Sequence, residues 1–269
     1  MKGVPSPVAA TLRRLASALD QILGSRLTGI YLYGSLTQQA FDAARSDVDC
    51  LVVLQRDLTK AQFRRLQAWL SEAALADPWV HRLQMQFLLR NRLLRTDTRG
   101  ALYQFGALKR SGSDGNPIVW LNVLASGITL AGPPPQRFLP PITEPVVFAA
   151  LVRELEYLRT EISDAKSPWR NQRFYRAYAV LTLCRILYTH RRGEVASKPQ
   201  AARWALRTLP RRWHSLVRSA RQGPRAEPRP LPLPRIAHFI EYVGAQLTQP
   251  SAHSRRQRPS SRAGSALPA

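Results

Sequence analysis

The chain has 269 residues, of which 45% are hydrophobic, and carries a formal net charge of +23. That length exceeds a usual single domain and supplies enough apolar residues for two cores. No apolar run reaches the length of a membrane span, and the N-terminus lacks the apolar stretch of a secretory signal, so we expect a cytoplasmic protein without a membrane partner.

The first half of the chain alternates helical and extended patterns. Apolar residues recur at helical spacing between Val8 and Leu23, and short apolar runs predict strands at 29–33, 48–54 and 83–89. A helix at 59–76 separates the last two strands and ends before Pro78. The three strands form a minimal sheet in this prediction, which leaves the polar stretch up to Gly115 without structure.

Two acidic residues begin the second predicted strand. Residues two apart on a strand point to the same face, so Asp47 and Asp49 present two carboxylates side by side while Val48 and Cys50 turn into the core. Paired carboxylates suit Mg²⁺, which takes oxygen ligands and completes its shell with water and substrate phosphates. We therefore predict Asp47 and Asp49 as catalytic metal ligands.

A Gly-Ser pair ends the strand before these acids. Gly34 allows a tight turn against phosphates, and Ser35 offers a hydroxyl and a backbone N–H to a phosphate oxygen. Eleven residues separate Ser35 from Asp47, and Ser46 directly precedes the acid pair. This layout predicts a nucleotide site built from Gly34, Ser35 and Ser46, with nucleotidyl transfer as its chemistry.

The segment Tyr31-Leu-Tyr-Gly-Ser35, followed by Phe41-Asp-Ala-Ala-Arg-Ser-Asp-Val-Asp49, resembles the DNA polymerase β-like nucleotidyltransferase superfamily, in particular its aminoglycoside adenylyltransferase branch. A second segment, Tyr178-Ala-Val-Leu-Thr-Leu-Cys-Arg-Ile-Leu-Tyr188 with Gly193-Glu-Val-Ala-Ser-Lys198, resembles the C-terminal helical domain of the streptomycin and spectinomycin adenylyltransferases. The resemblance extends from about Leu12 to Leu247.

The resemblance implies an α/β fold with a polymerase β-like nucleotidyltransferase domain and a small mixed sheet, followed by an all-α helical bundle. We place the domains at residues 1–140 and 141–249, with a Pro/Ser/Arg-rich tail at 250–269 that we predict to be disordered. The resemblance also implies that Lys198 contacts ATP, together with Arg185 and Tyr242. A lysine in the first turn of a helix is unfavourable, because the positive end of the helix dipole lies there. A bound phosphate would explain why Lys198 occupies this position.

One departure from the family concerns a third carboxylate. Such enzymes bring an acid from the next strand to bind metal or act as general base, yet here that strand, His81 to Arg90, contains no acid. Gln84 is the nearest equivalent, with Gln86 on the same face, and a glutamine can orient a hydroxyl but cannot take its proton. We predict either weakened activity or an acid supplied from a loop by Asp97 or Asp114.

A second departure concerns charge. From Lys166 onward the chain has 21 Lys and Arg against three Glu, and Trp169-Arg-Asn-Gln-Arg-Phe-Tyr-Arg176 carries cations where the family places anions. Such a field repels polycationic antibiotics. The same arginines could neutralise a nucleic-acid backbone, or they could be solvated residues that reflect only a compositional bias.

The prediction is a monomeric, Mg²⁺-dependent nucleotidyltransferase of the aminoglycoside adenylyltransferase type, with ATP as co-substrate and a small-molecule hydroxyl as acceptor. The alternative is a catalytically impaired relative that binds nucleotide or nucleic acid. The two cysteines, Cys50 and Cys184, are expected to be small buried hydrophobes, and the five histidines lack the spacing of a zinc site.

Overall fold

A computed structural model describes residues 3–95, 98–113, 115–222 and 231–249. The predicted tail at 250–269, residues 223–230, and both Asp97 and Asp114 lie outside the described residues. The chain divides into two compact units, Met1–Ala150 and Leu151–Ala269. Among the described residues, no helix is both long and apolar enough to cross a membrane.

The first unit is built on one six-stranded sheet with helices on its faces. Its strands are β1 Leu27–Tyr33, β2 Val48–Leu54, β3 Leu83–Leu89, β4 Thr98–Gln104, β5 Ala107–Ser113 and β6 Ile128–Ala131. Its helices are α1 Ser6–Leu23, α2 Lys60–Ala76, α3 Pro78–His81 and α4 Pro117–Ser126. The strand order is β5-β4-β3-β2-β1-β6, and β2 and β3 are parallel while the other neighbours are antiparallel.

The three predicted strands are present, and the predicted bounds of β2 and β3 agree with the structure. The expectation that three strands complete the sheet is wrong. The polar stretch forms the β4–β5 hairpin, whose outer strand β5 lies at the edge of the sheet, where exposed polar side chains such as Lys109 and Arg110 are tolerated. The segment after Gly127 forms β6, which pairs with β1.

Two apolar cores lie on opposite faces of the sheet. The larger core joins α1 and α2 to the residues of β1, β2 and β3 that share the face of Val48 and Cys50. The smaller core joins Tyr31 and Leu51 to Trp120 of α4. Strand alternation therefore places Tyr33 and Asp49 on the α4 side of the sheet.

The second unit is helical. Its helices are α5 Glu144–Ser163, α6 Pro168–Asn171, α7 Arg173–Arg192, α8 Lys198–Thr208, α9 His214–Arg221 and α10 Leu233–Leu247, and the division between the two units falls within α5. Lys198 lies in the first turn of α8, as predicted, because Ser197 is the N-cap and accepts a hydrogen bond from the Gln200 N–H at 3.4 Å. A 3₁₀ turn at Arg211–Trp213 precedes α9.

Candidate nucleotidyltransferase site

Tyr33, Asp49 and Gln84 lie opposite one another on three neighbouring strands. Tyr33 pairs with Asp49 across the antiparallel β1–β2 ladder, and Asp49 pairs with Gln84 across the parallel β2–β3 ladder. Asp47 precedes β2 by one residue, and its Oδ2 accepts a hydrogen bond from Gln84 Nε2 at 2.7 Å. The structure thus brings together the three residues that the sequence predicts as catalytic.

The two acids differ in exposure from the residues that alternate with them. Asp47 is exposed and Asp49 is partly exposed, whereas Val48 and Cys50 are fully buried. The predicted alternation of carboxylates and core residues is therefore present, and both acids remain accessible from solvent. Among the described residues, no group of three or more His, Cys, Asp or Glu is arranged to hold a metal, so a cation here would rely on this pair.

Gly34 shapes the space beside Asp49. It adopts a φ of +76°, and a Cβ built on it would lie 2.1 Å from Asp49 Oδ2. A side chain at this position would displace the carboxylate as well as strain the backbone. Ser35 follows Gly34 in the 3₁₀ turn Gly34–Leu36, and its backbone carbonyl accepts a hydrogen bond from the Ala40 N–H at 3.1 Å.

Ser46 is part of the loop that positions Asp47. Its Oγ accepts a hydrogen bond from the Asp42 N–H at 2.9 Å, and its carbonyl accepts one from the Arg82 guanidinium. Arg82 also donates to the Ala43 carbonyl at 2.6 Å and stacks over Trp79, with the guanidinium carbon 4.4 Å from the ring centroid. The sequence analysis did not identify Arg82, because its role depends on loop carbonyls that are almost 40 residues away in the chain.

Lys198 and Arg185 both take part in contacts between α7 and the start of α8 in the second unit. Lys198 Nζ is 3.6 Å from the centroid of the Tyr178 ring on α7, and Arg185, two turns further along α7, donates from Nε to the Ala196 carbonyl at 3.1 Å. Tyr242 on α10 belongs to a different cluster, where its ring lies 5.3 Å from that of Trp213. The structure therefore groups two of the three residues that the resemblance implies for ATP in this unit.

Two arginines of the segment 169–176 have internal partners. Arg176 is buried, donates to the Arg170 and Leu231 carbonyls, and has a lowered pKa because burial removes its hydration and Arg170 lies near. Arg170 donates to the Ile162 carbonyl at 3.0 Å. These hydrogen bonds to carbonyl oxygens hold the arginines within the helical unit without neutralising their charge, so the repulsion of a cationic acceptor stays a prediction.

Comparison with known proteins agrees with this architecture. A solved spectinomycin adenyltransferase, AAD(9) from Enterococcus faecialis with ATP and spectinomycin, matches with a TM-score of 0.67 at 16% identity, covering 90% of this chain and 99% of that one. The fold is therefore shared with that adenyltransferase and consists of a mixed α/β unit followed by a helical unit, as predicted.

Sequence comparison specifies the relatives. Residues 137–245 match the family described as aminoglycoside adenylyltransferase, C-terminal domain. A spectinomycin 9-adenylyltransferase of Staphylococcus aureus is 26% identical over 245 residues, covering 83% of this chain and 86% of the relative. An aminoglycoside (3'') (9) adenylyltransferase of Escherichia coli is 24% identical over 273 residues, covering 92% and 98%. The chain is therefore similar to aminoglycoside adenylyltransferases over most of its length, and its residues 137–245 match their C-terminal domain.

Proposed function

We propose that this protein is a Mg²⁺-dependent adenylyltransferase that moves AMP from ATP to a hydroxyl of a small-molecule acceptor. The observation that carries the proposal is the row of Asp49 and Gln84 across β2 and β3, with Asp47 hydrogen-bonded to Gln84. The names of the relatives support ATP as co-substrate and an aminoglycoside as acceptor.

The residues present fit a hard divalent cation. Asp47 and Asp49 supply carboxylate oxygens on one face, and the missing side chain at Gly34 leaves room for the Asp49 carboxylate. Mg²⁺ accepts such a pair because it usually retains waters and binds substrate phosphates. When bound, the ion would neutralise phosphate charge and stabilise the oxygens of an in-line displacement.

The protein's own groups then have separate roles. The Ser46 hydroxyl accepts from the Asp42 N–H, which leaves its proton free to donate to a phosphate oxygen. The Gln84 amide N–H is directed to Asp47, so its carbonyl oxygen is free to accept a hydrogen bond from the acceptor hydroxyl. Lys198 and Arg185 supply positive charge that suits the triphosphate. The acceptor oxygen attacks the α-phosphorus, pyrophosphate leaves, and the hydroxyl proton passes to solvent because a glutamine cannot take it.

The test is pyrophosphate release from MgATP with streptomycin, spectinomycin and a neutral cyclitol as acceptors. We expect release with at least one acceptor, and a loss of about 10²-fold or more in Asp47→Asn and Asp49→Asn, because several kcal/mol of charge stabilisation depend on these acids. Asp20→Asn, at an exposed position on α1, is the matched control and should retain full activity.

Two outcomes would contradict the proposal. Unchanged turnover in the Asp47 and Asp49 variants would remove these residues from the site. A folded protein that binds MgATP yet releases no pyrophosphate with any acceptor would instead support the catalytically impaired alternative.

A further inference from the structure

A run of arginines covers the surface formed by α8, the 3₁₀ turn and α9. Between Glu194 and Glu227 the sequence has no acidic residue. The exposed arginines of this run are Arg203, Arg207, Arg211, Arg212, Arg218 and Arg221, which we call the α8–α9 basic face.

Basic residues of the 3₁₀ turn and of α9 form a stripe along one side of this segment. Arg211, His214, Arg218 and Arg221 follow one another at intervals of three and four residues, which places them on the same side. With Ser215 and with Leu206 from α8, the first three of these line a shallow hollow of about 560 Å³. The two helices thus present a concave, cationic surface.

Some arginines elsewhere in the protein are paired with acids. Arg14 lies 2.6 Å from Asp77, and Arg159 Nε lies 3.0 Å from Glu241. Within the part of the chain that the structure describes, no arginine of the α8–α9 basic face has an acidic partner. Like charges one helical turn apart destabilise a helix. An anionic partner would offset this repulsion.

The basic face rests on a well-packed framework. Leu216, Val217 and Ala220 anchor α9 in the core, and Arg235 donates to Ser215 Oγ at 3.0 Å and to the Arg212 carbonyl at 2.6 Å. The exposed guanidinium groups therefore extend from a backbone that is already in place, so binding would order only side chains.

We propose that the α8–α9 basic face binds the phosphodiester backbone of a nucleic acid. One helical turn rises about 5.4 Å, which suits the separation of successive phosphates along a strand. A row of arginines is best neutralised by a ligand that presents its negative charges in a row. Base stacking has little support, because Trp213 is buried and Trp204 packs edge-on against Tyr188. Insertion into a membrane has no support either, since the exposed side of α9 has no large apolar residue.

The experiment measures fluorescence anisotropy of labelled 20-base-pair RNA and DNA duplexes of one sequence, titrated with the full chain over a range of NaCl concentrations. The test variant is Arg211→Glu/Arg218→Glu. The matched control is Arg64→Glu/Arg65→Glu on α2, which changes the net charge equally at two other exposed positions.

We expect the logarithm of the wild-type affinity to fall with the logarithm of salt with a slope of about −4, because each neutralised phosphate contributes about −0.9. The test variant should bind about 10-fold or more weakly, with a slope smaller in magnitude by about 2, since each backbone contact removed lowers it by about 1. The control should stay within about 2-fold of wild type on the same scale. Preferential binding of one duplex would identify RNA or DNA as the source of the backbone.

Three results would overturn the proposal. Equal weakening of both variants would show that net charge alone drives binding. Loss of binding on truncation after Gln249, with the Arg211→Glu/Arg218→Glu variant unaffected, would assign it to residues 250–269. Equal affinity for phosphatidylglycerol vesicles would show that the face binds anionic surfaces in general and is not specific to nucleic acid.

Melting temperatures establish that the variants fold. Arg203→Gln/Arg207→Gln on α8 provides a milder second variant of the same face.

Discussion

Gln84 is the residue whose chemistry most affects the proposed activity. It occupies the β3 position opposite Asp49 and donates to Asp47, so its amide lies where a third carboxylate would meet the same two acids. An amide can hold a hydroxyl in place without accepting its proton. The geometry therefore separates orientation, which Gln84 can provide, from proton removal, which it cannot.

Replacing Gln84 by glutamate should raise the single-turnover rate of adenylyl transfer by about 10-fold or more, because a positioned general base typically contributes 10²–10⁴-fold. The affinity for MgATP should change little. Gln86→Glu is the matched control, since Gln86 lies on the same face but its Oε1 is buried without a hydrogen-bond partner among the described residues. A carboxylate there should lower stability without increasing the rate.

A gain in Gln86→Glu alone would move the acceptor position along β3 by one residue pair. No gain in either variant, together with fast turnover in the wild type, would show that the general base comes from elsewhere. That result would agree with the prediction that Asp97 or Asp114 supplies an acid from a loop.

Both cysteines should be unreactive in the folded protein. Cys50 and Cys184 are fully buried, and burial raises the pKa of each thiol to about 12. Neither residue therefore forms the nucleophilic thiolate near neutral pH. An aromatic disulfide reagent at pH 8 should label neither thiol in native protein and both in denaturant. Fast labelling of the native protein would contradict the buried positions.

At the scale of elements, the β4–β5 hairpin is held by an unusual turn. Its two-residue loop consists of Phe105 and Gly106, with φ angles of +53° and +74°. Positive φ at both positions defines a type I′ turn, which favours Asn-Gly. A phenylalanine in this conformation is strained. Phe105 is 69% exposed, so packing of its side chain offsets little of the strain energy.

Phe105→Asn should therefore increase the free energy of unfolding by about 1 kcal/mol, the lower end of the cost of a non-glycine residue at positive φ. Chemical denaturation of the full chain measures the change. Phe105→Ala separates the causes, because it removes the ring but keeps an unsuited side chain at positive φ and should not stabilise. Equal stabilisation by both variants would attribute the effect to the exposed ring.

The same hairpin shows which elements could be predicted from sequence. β2 and β3 were predictable because apolar residues dominate both seven-residue segments, and α8 because Ser197 and Pro199 mark its start. β4 and β5 contain many polar residues and are joined by a turn without Asn-Gly, so neither signal was available. The short β6 was missed because four residues beside a proline-rich segment identify a strand only through pairing with β1.

The candidate site was predictable to a similar extent. The spacing of Asp47, Asp49 and Gln84 identified residues that the parallel β2–β3 ladder brings together. The approach of Asp49 to Gly34, the Arg82 contacts to the loop and the Lys198–Tyr178 stacking depend on distant parts of the chain. Local sequence patterns contain no information on such contacts.

At the scale of the whole molecule, charge is the dominant property. A net charge of +23 makes the compact state repel itself. Raising NaCl from about 0.01 M to about 0.3 M shortens the Debye length from about 30 Å to below 10 Å and screens this repulsion. We expect the melting temperature to rise over this range.

The Arg64→Glu/Arg65→Glu variant should show a smaller rise, because it starts from a lower charge. A melting temperature that falls with salt would mean that ion pairs such as Arg159–Glu241 outweigh the repulsion between arginines.

The register of Gln84 against Asp49 also bears on how this protein can evolve. Both glutamine codons become glutamate codons by a single change at the first base. Because β3 already holds position 84 beside Asp47 and Asp49, that one mutation delivers a carboxylate to the acid pair without any change in the backbone. A three-acid site is therefore one nucleotide substitution away from this sequence, within reach of selection in a single step.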